Sequence, residues 1–507
     1  MKNNAPQMQL NLIGVESTRT TIDTTFQISA YSQQSVVDII HLNFNLIFTM
    51  INCAGYSAQF EREGKTMLKK LILGLSASIA ACALTAPAMA ANIILRDTNG
   101  SFAAAGARGQ AALFSFQKAA NFWNQTLNNN VTINLEINFG PLNGGALGNT
   151  ATSGAVIVIG DVYDALRATG TTALDRIAVA NLRPLNADGT INFRTNAPLD
   201  PSINGGFVGG GADPNRTFID DNATANNFFF DINSANLKAI GIDQFGTFGS
   251  PTANRCSRAF FLADSCITLN SNANFDFDPT DGITLGSFDA TAVAIQEIGR
   301  ALGFGSGVDT YDIVAGNPGP FGRIPLDDLA LFSAFDLFRY GNAFDPVTGE
   351  RILQLSANRP AFFSIDGSTP FNFGNGSVAE FASLSTGSFV GDGNRAGTFK
   401  DNDSFVDDTG LCFNSSRPIG ILDATLDPCV LGVITANDLA VFDAIGYNLN
   451  FDILAQPGFR FDTSQVFGLV GLASVPEPAT WAMMLIGFGF AGSAMRRRRN
   501  NVRVTYA

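Results

Sequence analysis

The hydrophobic positions between residues 92 and 450 follow two periods, one helical and one typical of strands. Gly106 to Leu127 repeats apolar residues at helical spacing, whereas Val131 to Phe139 alternates apolar and polar residues strictly. Further predicted elements are the helices Asp161 to Ala168, Thr172 to Ala180, Asp327 to Tyr340 and Ile434 to Leu449, the strand Ala155 to Ile159, a Phe-rich strand and helix in Ala225 to Ile240, and the β-rich segment Arg351 to Phe389. The mixture predicts an α+β fold.

One predicted helix, from Asp289 to Phe304, stands out as amphipathic with a defined start and end. Asp289 is a predicted N-cap, and Gly303 is suited to the left-handed residue that follows a helix. The apolar stripe of this helix consists of Val293, Ala294, Ile298, Ala301 and Leu302. We expect it to pack into the core and to present its few polar residues to one site.

The composition narrows the classes of function. The 507 residues have a net charge of −13, with 46% hydrophobic and only 15% charged residues. An acidic chain of this kind is a poor partner for nucleic acid or an anionic membrane surface. Its single histidine, His41, lies near the N-terminus. The length allows a large core and more than one domain.

Residues 67–90 are typical of a secretory signal peptide. Met67 is followed by two lysines, an apolar run to Leu84 and an Ala-Met-Ala sequence that ends at Ala90. Because signal peptides act at an N-terminus, we expect Met67 to be the start and residues 1–66 to be a misassigned upstream extension. The alternative is a genuine polar extension. With Met67 as the start, the mature chain has no histidine.

Four cysteines follow the predicted cleavage site in two close pairs. In an exported chain this spacing favours disulfides, and no C-x-x-C metal motif occurs. The predicted bonds are Cys256–Cys266 and Cys412–Cys429.

The C-terminal 33 residues form a three-part tail. Pro476, Glu477 and Pro478 precede an apolar run from Ala479 to Met495, which as a helix spans about 25 Å. Four arginines follow this run and favour the cytoplasmic side. The tail resembles the PEP-CTERM sorting signal of Gram-negative bacteria. That resemblance implies export, transient anchoring in the membrane and removal of the tail by an exosortase; a permanent single-span anchor is the alternative.

The helix Asp289 to Phe304 carries candidate chemistry at Gln296, Glu297 and Arg300. Positions i and i+4 share one helix face, and zinc proteases place two histidines there, with the general base at i+1. Here the spacing is present without either histidine. Taken alone, this polar trio is also ordinary for a helix surface.

Further segments between Asn92 and Asn450 also resemble zinc proteases, and they occur in the same order along the chain. They are 296–309, 336–340, 363–367, 393–401 and 420–425. Together they resemble exported bacterial metalloproteases of the HExxHxxGF type, related to leishmanolysin-like metzincins. The resemblance implies a metzincin-like domain with a twisted sheet, a central active-site helix and a loop-rich C-terminal subdomain. It assigns the three zinc-ligand positions to Gln296, Arg300 and Thr398, the general base to Glu297, and the methionine turn to Leu422.

None of the three ligand positions retains a histidine, so we expect no bound zinc. Catalytic zinc requires three good donors, and a permanently charged guanidinium repels a dication. We therefore predict that Arg300 takes the place of the metal and pairs with Glu297, with Gln296 and Thr398 bonded around the pair. Two acidic loops, Asn274 to Gly282 and Asp401 to Asp408, are open candidates for calcium or for ordinary solvated turns.

The sequence thus predicts a signal peptide at 67–90, a metzincin-like domain at 91–455, a linker at 456–474 and a sorting signal at 475–507. The expected function is that of an exported, surface-sorted pseudoprotease that binds peptide or extracellular matrix material, including exopolysaccharide. Signal peptidase and an exosortase are the expected processing partners. One alternative is an active metallopeptidase with substitute ligands from Asp309, Asp312 or Asp401, and another is a purely structural surface or biofilm protein.

Overall fold

Helices and strands are interleaved along the chain in the computed structural model, which describes residues 91–199, 211–242, 251–252, 263–317, 326–346, 348–371, 382–400 and 418–469. All of these residues belong to the unit Thr85–Ala507. The α-helices among them are α1 Ser101–Ala104, α2 Gly106–Thr126, α3 Ile159–Thr169, α4 Ala173–Ala180, α5 Ala225–Phe228, α6 Ser234–Ala239, α7 Ala290–Ala301, α8 Val308–Gly316, α9 Ala436–Ala444 and α10 Thr463–Gly468.

The strands in the same residues form three larger sheets and two small ones. They are β1 Asn92–Arg96, β2 Thr132–Gly140, β3 Gly148–Thr152, β4 Gly154–Val158, β5 Phe193–Pro198, β6 Ala212–Asp220, β7 Phe229–Asn233, β8 Pro251–Thr252, β9 Ser265–Asn270, β10 Phe275–Asp276, β11 Phe288–Asp289, β12 Arg339–Phe344, β13 Arg351–Gln354, β14 Ala361–Phe363, β15 Ser383–Leu384, β16 Val433–Thr435 and β17 Arg460–Asp462.

One of the larger sheets has the strand order β1–β2–β9–β3. Strands β1, β2 and β9 are parallel, and β3 runs antiparallel to β9 at the edge. Burial alternates along β2, with Ile133, Leu135 and Ile137 facing the core. The other larger sheets have the orders β7–β4–β8 and β15–β14–β12–β13–β5–β6. Parallel and antiparallel pairing therefore occur together in a mixed α and β fold.

Helix α7 lies in the centre of the core, in contact with α2, β3 and β9. The Trp123 indole donates a hydrogen bond of 3.3 Å to the Ile295 carbonyl, and its ring packs 4.6 Å from the ring of Phe442. Burying each such apolar side chain contributes roughly 1.5–3 kcal/mol. Helix α7 is therefore packed on several sides, which fixes the positions of its polar side chains.

Most of the predicted elements are found within a few residues of their expected bounds. Helix α2 and strand β2 match the two clearest periodic segments, and strands β13, β14 and β15 lie in the predicted β-rich segment. The expected helix from Asp327 to Tyr340 is wrong. That segment forms two short 3-10 turns, Leu326–Asp328 and Ala334–Phe338, and then enters β12. Every residue from Ala334 to Tyr340 is buried, and periodicity alone does not distinguish such a continuous buried run from a helix.

Candidate functional site

The central helix α7 begins and ends where the sequence predicts. The Asp289 carboxylate accepts a hydrogen bond of 2.9 Å from the Ala292 amide and so caps the helix. Its other oxygen accepts hydrogen bonds from the Gly432 amide and the Thr463 hydroxyl. Burial raises the pKa of Asp289. At the other end, Gly303 has a φ of 123°, a conformation that favours glycine. Every residue of α7 is buried except Arg300, which is partly exposed to solvent.

Glu297 and Arg300 form a buried ion pair on this helix. Arg300 Nη1 lies 2.7 Å from Glu297 Oε1, and the side chains are 16% and 2% exposed. The Thr150 hydroxyl on edge strand β3 is 2.5 Å from Glu297 Oε2 and 3.0 Å from the Glu297 carbonyl oxygen. Strand β3 can approach Glu297 this closely because residue 148 is glycine. A Cβ atom at that position would lie only 2.7 Å from Glu297 Cγ. Both oxygens of the carboxylate therefore have partners, and the predicted pair is confirmed.

Gln296 is bonded away from that pair. Its amide donates to the Ile421 carbonyl at 3.2 Å and to the Asp423 carbonyl at 2.7 Å. The same loop is fixed by Asp438, whose carboxylate accepts hydrogen bonds from the Ile421 and Leu422 amides at 2.9 and 3.0 Å. Burial raises the pKa of Asp438 to about 7. Gln296 therefore connects the central helix to the segment that carries the predicted methionine-turn position.

Leu422 packs directly beneath the helix. A Cβ on Gly299 lies 2.9 Å from a Leu422 methyl group, so the small residue allows the close approach. The Leu422 carbonyl accepts a hydrogen bond of 3.0 Å from the Phe399 amide. The buried Thr398 hydroxyl donates to the Arg395 carbonyl at 2.7 Å. The structure thus brings the helix and the segments of Thr398 and Leu422 together. The expectation that Gln296 and Thr398 surround the Glu297–Arg300 pair is wrong, since both side chains are bonded to backbone carbonyls.

The segment around Thr398 is positioned by a buried arginine that sequence reasoning missed. Arg339 is fully buried and donates to the carbonyls of Gln354, Ala396 and Ser385. The Ala396 amide in turn donates to Asp309 at 2.7 Å. Burial lowers the pKa of Arg339 to about 10. The available signal was a lone cation within the apolar run 335–340.

A cleft of about 410 Å³ opens beside the exposed side of Arg300. Its walls include edge strand β3, the loop 303–307 after the helix, and helix α8. Glu297 is not one of the residues that line this cleft. The hydroxyl and charged side chains around it are Thr150, Thr152, Thr310, Ser306, Ser333, Asp231, Asp309, Arg300 and Arg395. Burial raises the pKa of Asp309, while the charge of Arg395 opposes that rise. The cleft is therefore polar and suited to hydrogen bonding.

The loop after the helix is held by Asp336. Its carboxylate accepts hydrogen bonds from the Gly307 and Ser333 amides at 2.9 and 2.8 Å and from the Ser306 hydroxyl. Burial raises the pKa of this carboxyl. Ser306 and Ser333 both line the cleft, so a buried carboxylate also fixes this wall.

The other predicted sites are described in part. In the acidic loop 274–282, Asp276 accepts hydrogen bonds from Thr284, and Asp278 accepts them from Thr280. No group of three or more His, Cys, Asp or Glu residues in the described part of the chain is arranged to hold a metal ion. The second acidic loop, Asp401 to Asp408, lies outside the described residues. Calcium in either loop stays a prediction.

Cys266 and Cys429 are both disulfide-bonded. Their predicted partners, Cys256 and Cys412, lie outside the described residues, so the pairing itself stays a prediction. The signal peptide at 67–90, the sorting residues Pro476, Glu477 and Pro478, and the apolar run 479–495 lie outside them as well. Within the described ranges, no helix is both long and apolar enough to cross a bilayer.

The comparisons with known proteins bear on the C-terminal tail. Residues 474–499 match the family model described as the PEP-CTERM protein-sorting motif. Neither the curated proteins nor the solved structures include a significant match to this chain. The motif indicates an exported protein that is sorted to the cell envelope or surface and processed by an exosortase.

Proposed function

We propose that this exported surface protein is a metzincin-like pseudoprotease whose cleft beside Arg300 binds extended peptide without cutting it. The observation that carries the proposal is the pairing of Glu297 with Arg300 and Thr150, which occupies both carboxylate oxygens. A general base must reach the proton that it abstracts and must have a free acceptor. In this arrangement both Glu297 oxygens are bonded within the fold, one of them to a cation, and the carboxylate has no place in the cleft wall.

The residues at the three expected ligand positions do not suit zinc. Arg300 brings a permanent positive charge to the spot where a dication would bind. Gln296 and Thr398 are bonded to backbone carbonyls and would have to break those bonds to turn toward a metal. Without a Lewis acid, no group in this set lowers the pKa of a water molecule enough to attack a peptide bond.

The active-enzyme alternative requires other ligands, and the described candidates are already engaged. Asp309 accepts a hydrogen bond from Ala396, and the two oxygens of Asp312 accept hydrogen bonds of 2.9 Å from the Phe389 and Val390 amides. Asp401 lies outside the described residues. These bonds fix loops around the cleft, which favours a structural role for both carboxylates.

Peptide is the favoured ligand because of the strand that forms one cleft wall. Strand β3 is the edge of its sheet, and Thr150 and Thr152 on it line the cleft. An exposed strand edge offers backbone donors and acceptors to an extended chain. Exopolysaccharide is a second candidate ligand. The proposal also includes cleavage of the leader by signal peptidase and transient anchoring of the tail in the membrane.

The proposal is tested with the full-length chain and fluorescein-labelled, unfolded casein. We expect saturable binding in fluorescence anisotropy, with the casein intact by mass spectrometry. Thr152→Trp fills the cleft and should weaken binding by about tenfold, which corresponds to roughly 1.4 kcal/mol. Thr132→Trp, on the same sheet but outside the cleft, is the matched control. Cleaved casein would favour the active metallopeptidase, and binding that Thr152→Trp leaves unchanged, or no binding, would favour the purely structural surface protein.

A further inference from the structure

A second cavity, of about 480 Å³, is formed by residues outside the central helix. Its walls are residues 180–184 at and after the end of helix α4, strand β12, the turn 349–351 between β12 and β13, and the loop 366–368 after β14. In the described part of the chain, the cleft beside Arg300 shares no lining residue with it. Parts of the chain that are far apart in sequence meet here, so the cavity depends on the folded structure.

One wall of this cavity carries the hydroxyl of Tyr340. The residue is only 3% exposed, and its hydroxyl forms no hydrogen bond with any other described residue. Burial raises the pKa of Tyr340 to about 12, so the hydroxyl keeps its proton at neutral pH. Residue 367, which also lines the cavity, is glycine, and a Cβ atom there would lie 3.3 Å from the hydroxyl oxygen. A buried hydroxyl without a partner in the chain indicates that a ligand or water meets it.

The cavity also has an exposed aromatic ring, that of Phe344 at the end of strand β12. Phe344 is 53% exposed. The guanidinium carbon of Arg351 lies 5.1 Å from the centre of this ring, a cation–π contact. Arg351 in turn donates hydrogen bonds to the carbonyls of Gly341 and Ser368 at 2.7 and 2.9 Å. The position of the ring is therefore fixed by a side chain that is itself bonded to the backbone, although much of the ring is open to solvent.

The charged side chains that line the cavity are of both signs. They are the arginines Arg183 and Arg351 and the carboxylates Glu350 and Asp366. Arg183 is also paired with Asp345, and each side chain of that pair is 7% exposed. A charged ligand of either sign would therefore lie close to a like charge, which disfavours it.

Asp366 is held in its ionised form. Its carboxylate accepts hydrogen bonds from the Ser368 and Thr369 amides at 2.8 and 2.7 Å, from the Ser364 hydroxyl at 3.0 Å and from the Thr369 hydroxyl. Burial acts to raise the pKa of Asp366, but these bonds outweigh burial and lower the pKa to about 2. The cavity thus combines a fixed acceptor at Asp366 with a fixed donor at Tyr340.

We propose that this cavity binds a neutral sugar. The hydroxyl groups of a sugar both donate and accept hydrogen bonds, which suits a lining of tyrosine hydroxyl, carboxylate and guanidinium groups. The C–H face of a sugar ring is apolar and packs against an exposed aromatic ring such as that of Phe344. A neutral ligand also avoids the like charges that any ion would meet here. This site does not depend on the proposed function of the cleft.

The test is titration calorimetry of the full-length chain with the neutral disaccharides maltose, cellobiose, lactose and melibiose, and with glucosamine and glucuronate as charged comparators. We expect at least one disaccharide to bind with a Kd of about 1 mM, and both charged sugars to bind about tenfold more weakly. Phe344→Ala should weaken binding by about tenfold and Tyr340→Phe by about fivefold. Tyr340→Phe should leave the Tm unchanged, because the hydroxyl has no partner among the described residues; this readout separates loss of the site from loss of the fold.

The matched control is Phe389→Ala, because Phe389 is 57% exposed but does not line the cavity, and this variant should bind sugar as wild type does. Thr152→Trp, which fills the cleft beside Arg300, should also leave sugar binding unchanged. Binding of none of the disaccharides, tighter binding of a charged sugar, or full binding by Tyr340→Phe or Phe344→Ala would overturn the proposal. Sugar binding lost in Thr152→Trp but kept in Phe344→Ala would also overturn it, and would assign the sugar to the cleft.

Discussion

Glu297 lies within helix α7 and Asp220 lies at the end of strand β6. Both are buried carboxylates, but their surroundings differ. Glu297 has a cation from its own helix at 2.7 Å and a hydroxyl on its other oxygen. Asp220 has an amide on one oxygen, no donor from the described residues on the other, and a second carboxylate nearby. Glu297 therefore has its charge neutralised within its own helix, whereas the surroundings of Asp220 favour its uncharged form.

The difference separates a carboxylate that is neutralised by a cation from a carboxyl whose ionisation is disfavoured. At Glu297, the chain itself supplies the positive charge as Arg300, which under the proposed function takes the place of a metal ion. At Asp220, burial and then the charge of Asp327 raise the pKa to about 6, so ionisation is disfavoured there. We expect metal chelators to leave the stability of the central helix unaffected, because its carboxylate is neutralised by Arg300.

The largest expected effect is a gain of metal binding. In the triple variant Gln296→His, Arg300→His and Thr398→His, three imidazoles replace the present side chains, and Arg300 no longer repels a dication. We expect stoichiometric zinc in elemental analysis, because three nitrogen donors suffice for a catalytic-type zinc site. The control is the double variant that keeps Thr398, which should bind zinc more weakly. A triple variant that folds but binds no zinc would mean that these positions do not converge as the resemblance implies.

The second expected effect is loss of stability when the ion pair is broken. Arg300→Met leaves Glu297 buried without its cation and should lower the free energy of unfolding by about 3 kcal/mol. Urea unfolding followed by circular dichroism measures it. The control is Glu297→Met with Arg300→Met, which removes both charges and should recover most of the loss. If the double variant is as unstable as the sum of the single ones, the pair does not stabilise the helix in the way described.

Asp438 allows a test by pH. Its pKa is about 7 in the folded protein and about 3.9 when unfolded, so the folded state binds more protons between pH 4 and 7. The contribution of Asp438 to the free energy of unfolding is therefore full at pH 4 and below, and is lost as the pH rises through 7. Asp438→Asn should make this dependence shallower by up to about 1.4 kcal/mol per pH unit. Asp366→Asn serves as the control, because Asp366 has a pKa of about 2 and does not titrate in that window.

The smallest expected effect concerns Thr150. Thr150→Val removes the hydroxyl from Glu297 Oε2 while keeping the shape of the side chain, and should destabilise the fold by about 1 kcal/mol. Thr152→Val on the same strand is the matched control and should change stability by less than about 0.5 kcal/mol. Equal effects from the two variants, measured in urea, would show that the Thr150 contact adds little to the neutralisation of Glu297 by Arg300.

Local patterns predicted a substantial part of the fold. The N-cap Asp289, the end at Gly303, the helix α2 and the alternating strand β2 follow from spacing within one segment. The Glu297–Arg300 pair was predicted for the same reason, since residues three apart on a helix are neighbours. The helix prediction for 327–340 was wrong because residues 334–340 are all buried, and periodicity does not identify the structure of such a run.

The rest of the site depends on contacts between distant segments. Thr150 reaches Glu297 from a separate strand, and Asp438 fixes the loop of Leu422 from helix α9. Arg339 and Asp327 likewise act on residues far away in the chain. Periodicity and motif spacing carry no information about such pairings, so only the folded structure could reveal them.

The most direct test of the central claim, that Arg300 stands in place of a catalytic metal, is the zinc content of the full-length wild-type chain after incubation with zinc and gel filtration. We predict no stoichiometric zinc and no casein cleavage, both before and after incubation. Stoichiometric zinc that is retained through gel filtration, together with casein cleavage that Glu297→Gln abolishes, would contradict it.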